Sequence, residues 1–472
     1  MDGRRKTYRA WDPQQNGHDA ISPHQALPEG DLVFFLIDLI PQLDLAPFHA
    51  HYARDLRGQP PFDVTMMVTL LVYAYAVGLC SSRRIAAACE RNLAFRAIVG
   101  ADRPDFRTIS DFRKIHTAAM KPLFLEVLGV AGELGMVKLG NLATDGTKMR
   151  ANASRHKAMS YGYMGKEIAR LEAEVERLLR DAERLDAEQD AALGGRRGDE
   201  LPAELRRRED RLAKIREAKA RLEAEAHTRA QEEQRRRDEA RARREAEGRR
   251  RRGREPAPVR QSPEDKAQTN FTDAESRVMK QSNKGFDYSY NAQAVADGAD
   301  QIIVAAEVTD AANDKHQAVP MGRAALEALE AAGIARPKAA DGTAAPIPNT
   351  ADTGYFSEAA VAGLEGLGLD PYVAVERQKH HGAEMEPEGT APAPGAGAME
   401  KMRHKLSSAV GRALYAARKR IIEPVFGQIK SARGIRQFLL RGLEKVSAEW
   451  QLICLTHNLL KIWRRTCGAG AG

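Results

Sequence analysis

The stretch 287–308, DYSYNAQAVADGADQIIVAAEV, decides the fold class. Asp287 to Ala296 reads as one strand and Gln301 to Val308 as a second. Asp297-Gly298 lies in the short connection, which makes the pair a β-hairpin. Working outward, a helix is predicted from about Lys315 to Ala331 and a further short strand from Asp370 to Glu376. Upstream, Val137 to Thr144 leads into Asp145-Gly146-Thr147-Lys148. The order strand, hairpin, helix, strand, helix predicts an α/β (α+β) core with a mixed sheet. The C-terminal part is helical again and ends in an amphipathic run, Val446 to Arg464.

Beyond this core the chain changes character twice. Residues 30–135 carry apolar clusters at helical spacing, in Leu32 to Ile37, Met66 to Leu79 and Leu123 to Leu134, and read as an all-α domain. Ser110 and Asp111 are its candidate helix caps near Arg107 to Arg113, and Arg83, Arg84, Arg91, Arg107 and Arg113 are available to phosphates. Val64 to Ser82 is uncharged, but its apolar part is shorter than the roughly 20 residues a membrane span needs, so it reads as a buried helix. Residues 155–282 form an insert. Ile168, Leu171, Val175, Leu178 and Leu185 follow coiled-coil spacing. After a break from Gly194-Gly195 to Pro202 the pattern resumes at Leu205, Leu212, Ile215 and Leu222, with Arg208 and Lys219 on intervening seam positions. The expectation is an antiparallel helical hairpin arm, followed by an Arg-rich segment: residues 235–260 hold 12 arginines and 5 acidic residues. Residues 1–29 read as a tail, 382–399 as a flexible linker and 437–472 as a C-terminal helix. The α/β core is expected from 136–154 and 283–436.

Composition narrows the function. The chain has 472 residues, 43% hydrophobic and only 6% aromatic, which disfavours an all-β sandwich or an aromatic-lined carbohydrate site. Lys and Arg number 73 against 65 Asp and Glu, and the net charge of +8 suits a polyanionic partner. Four cysteines, Cys80, Cys89, Cys454 and Cys467, show no C-x2-C pair, which excludes a disulfide scaffold and points to a reducing compartment. Met1 to Lys6 is not followed by an apolar segment, so no signal peptide is expected. His380-His381 and Cys454-x2-His457 lack partner pairs for a metal and read as loop and core residues.

Three acidic residues are framed by the strand order: Asp145, Asp352 in Ala351-Asp352-Thr353-Gly354-Tyr355, and Glu423 in Ile421-Ile422-Glu423-Pro424-Val425-Phe426-Gly427-Gln428-Ile429-Lys430. Each alone reads as a turn or helix-entry residue. Together with Arg57-Gly58-Gln59-Pro60-Pro61, Asp105-Phe106-Arg107-Thr108-Ile109, Asn270-Phe271-Thr272-Asp273 and Tyr290-Asn291-Ala292-Gln293, they run through nearly the whole chain in one order. That set resembles bacterial insertion-sequence transposases of the DDE class, whose catalytic domain is RNase H-like.

The resemblance implies Asp145, Asp352 and Glu423 as catalytic and metal-binding residues. It implies two Mg²⁺ ions, with Mn²⁺ as a substitute, and double-stranded DNA, at element ends and target, as the partner. It further implies a cytoplasmic, nucleoid-associated bacterial enzyme acting as a homo-oligomer, expected to be a dimer, with no membrane. Lys430, Arg107, Arg113 and Lys148 are the candidate DNA-binding residues. Paired carboxylates suit this chemistry because hard divalent cations prefer oxygen ligands and can activate water and stabilise a leaving 3′ oxygen. The related Y-x2-R-x3-E-x6-K signature is matched at Tyr415-x2-Arg418 and Glu423-x6-Lys430, but four residues separate Arg418 from Glu423. On a continuous helix that rotates Arg418 away and leaves Lys419 in register, while Pro424 predicts a kink or a fresh start. Pro346 and Pro348 predict a poor strand before Asp352, and Asp341-Gly342 is a rival second carboxylate. The rival function is an inactive relic acting as a DNA-binding regulator.

Overall fold

The computed structural model describes residues 9–10, 23–53, 59–193, 203–246, 248, 256–281, 283–376 and 395–467. The 382–394 part of the expected linker, most of the 1–29 tail, His380-His381 and the 194–202 break lie outside them. The chain falls into two compact units, Met1–Asn152 with Arg277–Gly472, and Ala153–Ser276.

The first unit opens with eight helices: Pro23–Ala26 (α1), Leu32–Leu39 (α2), Ala46–Tyr52 (α3), Val64–Ala76 (α4), Ser82–Arg91 (α5), Leu93–Val99 (α6), Phe106–Ile115 (α7) and Met120–Glu133 (α8). Their starts are written in short polar side chains that accept otherwise orphaned amides: Asp31 from Val33, Asp63 from Met66, and Asn92 from Ala94. α7 begins one turn earlier than predicted. Asp105 caps it through the amides of Arg107 and Thr108, which leaves Ser110 and Asp111 inside the helix. α4 is buried along almost its whole length, as expected of a core helix. Among the described residues no single helix is long and apolar enough to cross a membrane.

The sheet follows, with strands Leu142–Arg150 (β1), Arg277–Lys280 (β4), Phe286–Asp297 (β5), Ile303–Thr309 (β6), Ile347–Ala351 (β7) and Leu369–Val373 (β8). The second unit holds the short strands Ala158–Ser160 (β2) and Gln268–Asn270 (β3). β5 pairs antiparallel with β1 along one edge, from Arg150↔Ser289 to Leu142↔Asp297. Along its other edge it pairs first with β4 and then with β6. β1, β7 and β8 run parallel. The β5–β6 hairpin is thus the predicted one, its turn held by the Asp297 carboxylate on the amides of Ala299 and Leu139.

β7 overturns the expectation of a poor strand. The Ile347 amide is spent on Gly368, on the β8 side, so Pro348 turns its missing N–H toward β1. β1 pairs only with Asn349 and Thr350, so the proline sits just before that ladder begins and costs no bond.

Four helices pack with the sheet: Ala318–Ala331 (α11), Glu358–Gly366 (α12), Ala409–Gly427 (α14) and Leu443–Thr466 (α15), with Ala398–Ser407 (α13) beside α14. α14 continues through Pro424 without the fresh start that the proline predicts. The carbonyl that Pro424 cannot satisfy, that of Arg420, accepts Nε2 of Gln301 instead. α15 is not the amphipathic helix expected: every residue from Ala448 to Leu460 is buried, between α4, α8 and β6. Its polar residues are consumed internally. Asn458 bonds both backbone groups of Ile303, and Trp450 donates to the Gln293 carbonyl.

In the second unit Tyr161–Leu193 (α9) and Ala203–Ala246 (α10) lie antiparallel. Met164, Leu171, Leu212, Ile215, Ala218 and Leu222 form the buried seam, with Ile168 at its margin. Ala218 takes the seam position expected of Lys219, whose ammonium lies over the Tyr161 ring. Arg211 to Glu167 and Arg208 to Glu174 pair across the helices at 2.8 and 3.0 Å. Toward its end α10 pairs its arginines internally, Arg237 with Glu233 and Arg241 with Glu245. The Leu185 and Leu205 side chains lie outside the described residues.

Candidate active site

Asp145 stands in the middle of β1, and Asp352 follows β7, the parallel neighbour of β1. Asp145 Oδ1 accepts from the Gly146 amide at 2.8 Å, and Oδ2 receives Nη1 of Arg418 at 3.2 Å. Asp352 caps the turn Thr353–Tyr355 through the Gly354 amide at 2.8 Å. Burial, opposed by Arg418 and reinforced by Asp352 and Asp314, pushes the Asp145 carboxyl up to about 6. The rival Asp341 sits in an exposed turn with both its backbone and hydroxyl partners on Thr343. Asp352 and Asp314, but not Asp341, lie within electrostatic reach of Asp145.

Two lysines flank the strand. Lys430, in the π-helical segment Gln428–Ala432 that continues α14, donates to Thr147 Oγ1 at 2.5 Å and to the Lys148 carbonyl at 2.8 Å. Burial, then Arg436 and Lys148, push its amine down to about 8. Lys148 Nζ lies 3.6 Å from Asp314 Oδ1, and burial lowers its pKa as well. Tyr355 donates to Gln293 Oε1 at 2.5 Å; burial first, then the three aspartates, raise its phenol well above the ordinary value.

The remaining candidates are placed differently. Glu423 is exposed on α14, five residues beyond Arg418 and so roughly 140° around the helix from the face that meets Asp145. Among the described residues no three His, Cys, Asp or Glu side chains converge as a metal group. Arg113, expected to reach DNA, is 6% exposed; its Nη1 donates to the Tyr75 hydroxyl and the Cys80 carbonyl. Arg107 is exposed and leans on Asp105. Cys454 and His457 are core residues, as read, with His457 between Gln428 Oε1 and the Gln301 carbonyl.

The donor chemistry fits a hard divalent cation. Asp145 and Asp352 offer carboxylate oxygens from adjacent strands, and the penalty that burial and its acidic neighbours place on Asp145 is one a cation relieves.

Two family models match the chain: a transposase domain (DUF772) over residues 21–115 and a transposase DDE domain over residues 390–463. The matches support an insertion-sequence transposase of the DDE type. The DDE-domain match contains Arg418, Glu423 and Lys430, the other contains Arg107 and Arg113, and Asp145 and Asp352 lie between them. No curated protein matches the chain, and no solved structure does. A transposase implies DNA as partner and divalent metal as cofactor, which agrees with the carboxylate pair. Sequence reasoning missed Asp314 and set Arg418 aside. For Arg418 the signal was present in the Tyr415-x2-Arg418 spacing; for Asp314 no motif marked it.

Proposed function

We propose that this chain is a DNA transposase that binds the ends of its element, hydrolyses a phosphodiester bond there and joins the freed 3′-OH to target DNA. The observation that carries this reading is the pairing of Asp145 on β1 with Asp352 at the end of the parallel neighbour β7, in a chain with a DDE-domain match. The strand order β6–β5–β1–β7–β8, with β5 antiparallel to the rest, supports an RNase H-like core.

In this reading Asp145 and Asp352 hold Mg²⁺, and Glu423 is the closing carboxylate by its place in the Glu423-x6-Lys430 signature. Bound ions supply an activated water and stabilise the departing 3′ oxygen. Arg418 orients Asp145 through Oδ2. Lys430 ties α14 to β1 beside the pair, and Arg107 supplies an exposed cation for phosphate. Sequence discrimination belongs to the helices of residues 30–135, because the carboxylates act on phosphates common to all DNA. Asp145→Ala and Asp352→Ala should each abolish Mg²⁺-dependent nicking of duplexes carrying the DNA that flanks the gene, with binding retained. Glu423→Ala should do the same. Unimpaired nicking by Asp145→Ala would sink the mechanism, and loss in Asp341→Ala with full activity in Asp352→Ala would exchange the two.

A further inference from the structure

Asp314 lies between β6 and α11, away from every motif the sequence offers, yet it stands at the carboxylate pair. Its Oδ1 receives Nδ2 of Asn291 at 2.6 Å and Nε2 of Gln293 at 2.7 Å. Asn291 and Gln293 alternate along β5 and so project from one face of the sheet. Gln293 also accepts the Tyr355 hydroxyl, which ties this network to the turn that follows Asp352. Gly146 makes the approach possible. A Cβ there would fall 2.1 Å from Gln293 Nε2 and 2.8 Å from Asp314 Oδ1, so a side chain at 146 would push these groups away from the strand that carries Asp145.

Asp314 is poised over Lys148. The 3.6 Å separation is an ion pair and not a hydrogen bond, and the buried Nζ has no hydrogen-bond partner. An ammonium has three donors, and leaving all of them unused in a buried site is costly. In the proposed reaction the acceptor that arrives beside Asp145 is a phosphate oxygen.

We infer that Asp314 is a positioning residue of the reaction: it holds the Lys148 ammonium beside Asp145 and Asp352, where that ammonium meets an anionic phosphate oxygen of bound DNA. This rests on the proposed role of Asp145 and Asp352. The test uses the full chain, Mg²⁺ and a duplex carrying the DNA that flanks the gene. Single-turnover nicking, DNA binding and thermal melting are read for Asp314→Asn, Lys148→Met and the double variant. Each single variant should nick roughly 10- to 100-fold more slowly, with melting close to that of the parent. The double variant should be no slower than the slower single one, because both changes remove one interaction. Replacing the cleaved phosphate by a methylphosphonate, which lacks the anionic oxygen, should erase the difference between Lys148→Met and the parent. A purely structural ion pair would not respond to that replacement. Losses that multiply in the double variant, a parental rate in Asp314→Asn, or a Lys148→Met defect that persists on methylphosphonate overturn the inference. Should Asp314→Asn melt early, the Lys148→Met comparison on the two substrates decides alone. Asp145→Ala separates the two levels: if it nicks normally the proposed function fails, whereas an inactive Asp145→Ala beside an active Asp314→Asn removes only the role of Asp314.

Discussion

Arg418 places a guanidinium, 9% exposed, against an aspartate side chain that is 22% exposed, and the pair sets the protonation of the site. Burial alone would hold the Asp145 carboxyl higher still; Arg418 is the largest opposing influence on a value of about 6. Cation binding needs the ionised carboxylate, so at sub-saturating Mg²⁺ nicking should fall as pH drops through about 6. Removing the guanidinium takes away the influence that lowers the pKa, so Arg418→Met should move the acid limb of the pH–rate profile upward, as well as slowing the reaction by roughly 10- to 100-fold. A slowed variant whose acid limb stays in place would mean that Arg418 does not act through Asp145. At this scale the sequence was informative where a residue sits in a local motif. Asp145 and Asp352 were legible from their Gly and Thr neighbours. The partnership of Arg418 with Asp145 spans 273 positions, and that of Asp314 with Gln293 depends on the β5–β6 register, which no local pattern records.

Among the elements, α15 departs furthest from expectation, and the cause is chemical. Its pattern of Glu449, Gln451, Thr456, His457 and Asn458 looks amphipathic, but each of these residues is buried and those with partners use backbone or side-chain groups of the core. Hydrophobic periodicity reads polar residues as solvent-facing, so it cannot see a helix whose polar atoms are satisfied inside. The strands show the converse: the β5–β6 hairpin and β8 were legible because their turns and apolar runs are local, while β7 was hidden by a proline that topology renders harmless. Burial of His457, 1% exposed, drives its pKa down to about 3. Above about 6.5 folded and unfolded chains both carry it neutral. Below that the unfolded chain takes a proton that the folded one refuses until about 3, so stability is lost as pH falls through this window. Asp145, raised to about 6, pulls the opposite way, so the difference between proteins is the quantity to read. His457→Gln should lose less stability than the parent between pH 7 and 4.5, by up to about 2 to 3 kcal/mol, in thermal melts across that range. Parallel curves would show that the buried imidazole is not what acid attacks.

On the scale of the whole molecule, the second unit is an insertion that the sheet itself can close. Arg150 at the end of β1 and Arg277 at the start of β4 both pair with Ser289, one on each edge of β5. Two strand spacings separate them, about 10 Å, a gap that a linker of a few glycines and serines spans. Asn152 remains anchored to the Leu439 carbonyl and Arg441. Replacing 153–276 by such a linker should therefore leave the first unit folded, with a single cooperative melt and intact secondary structure by circular dichroism. The seam of α9 and α10 is internal to the removed piece. The removed piece carries exposed arginines along α10 and no motif-matched carboxylate, so its contribution is expected in DNA affinity or protomer pairing and not in chemistry. For every DNA phosphate that the shortened chain no longer neutralises, the dependence of log affinity on log salt should flatten by about 0.9. Binding of the shortened chain to end-containing duplex, titrated across salt, should be weaker and less steep than that of the full chain, while Asp145-dependent nicking at low salt persists. An unchanged slope together with unchanged assembly would leave the insert without a role in gripping DNA, and loss of nicking in a folded, DNA-bound shortened chain would bring it into the reaction itself.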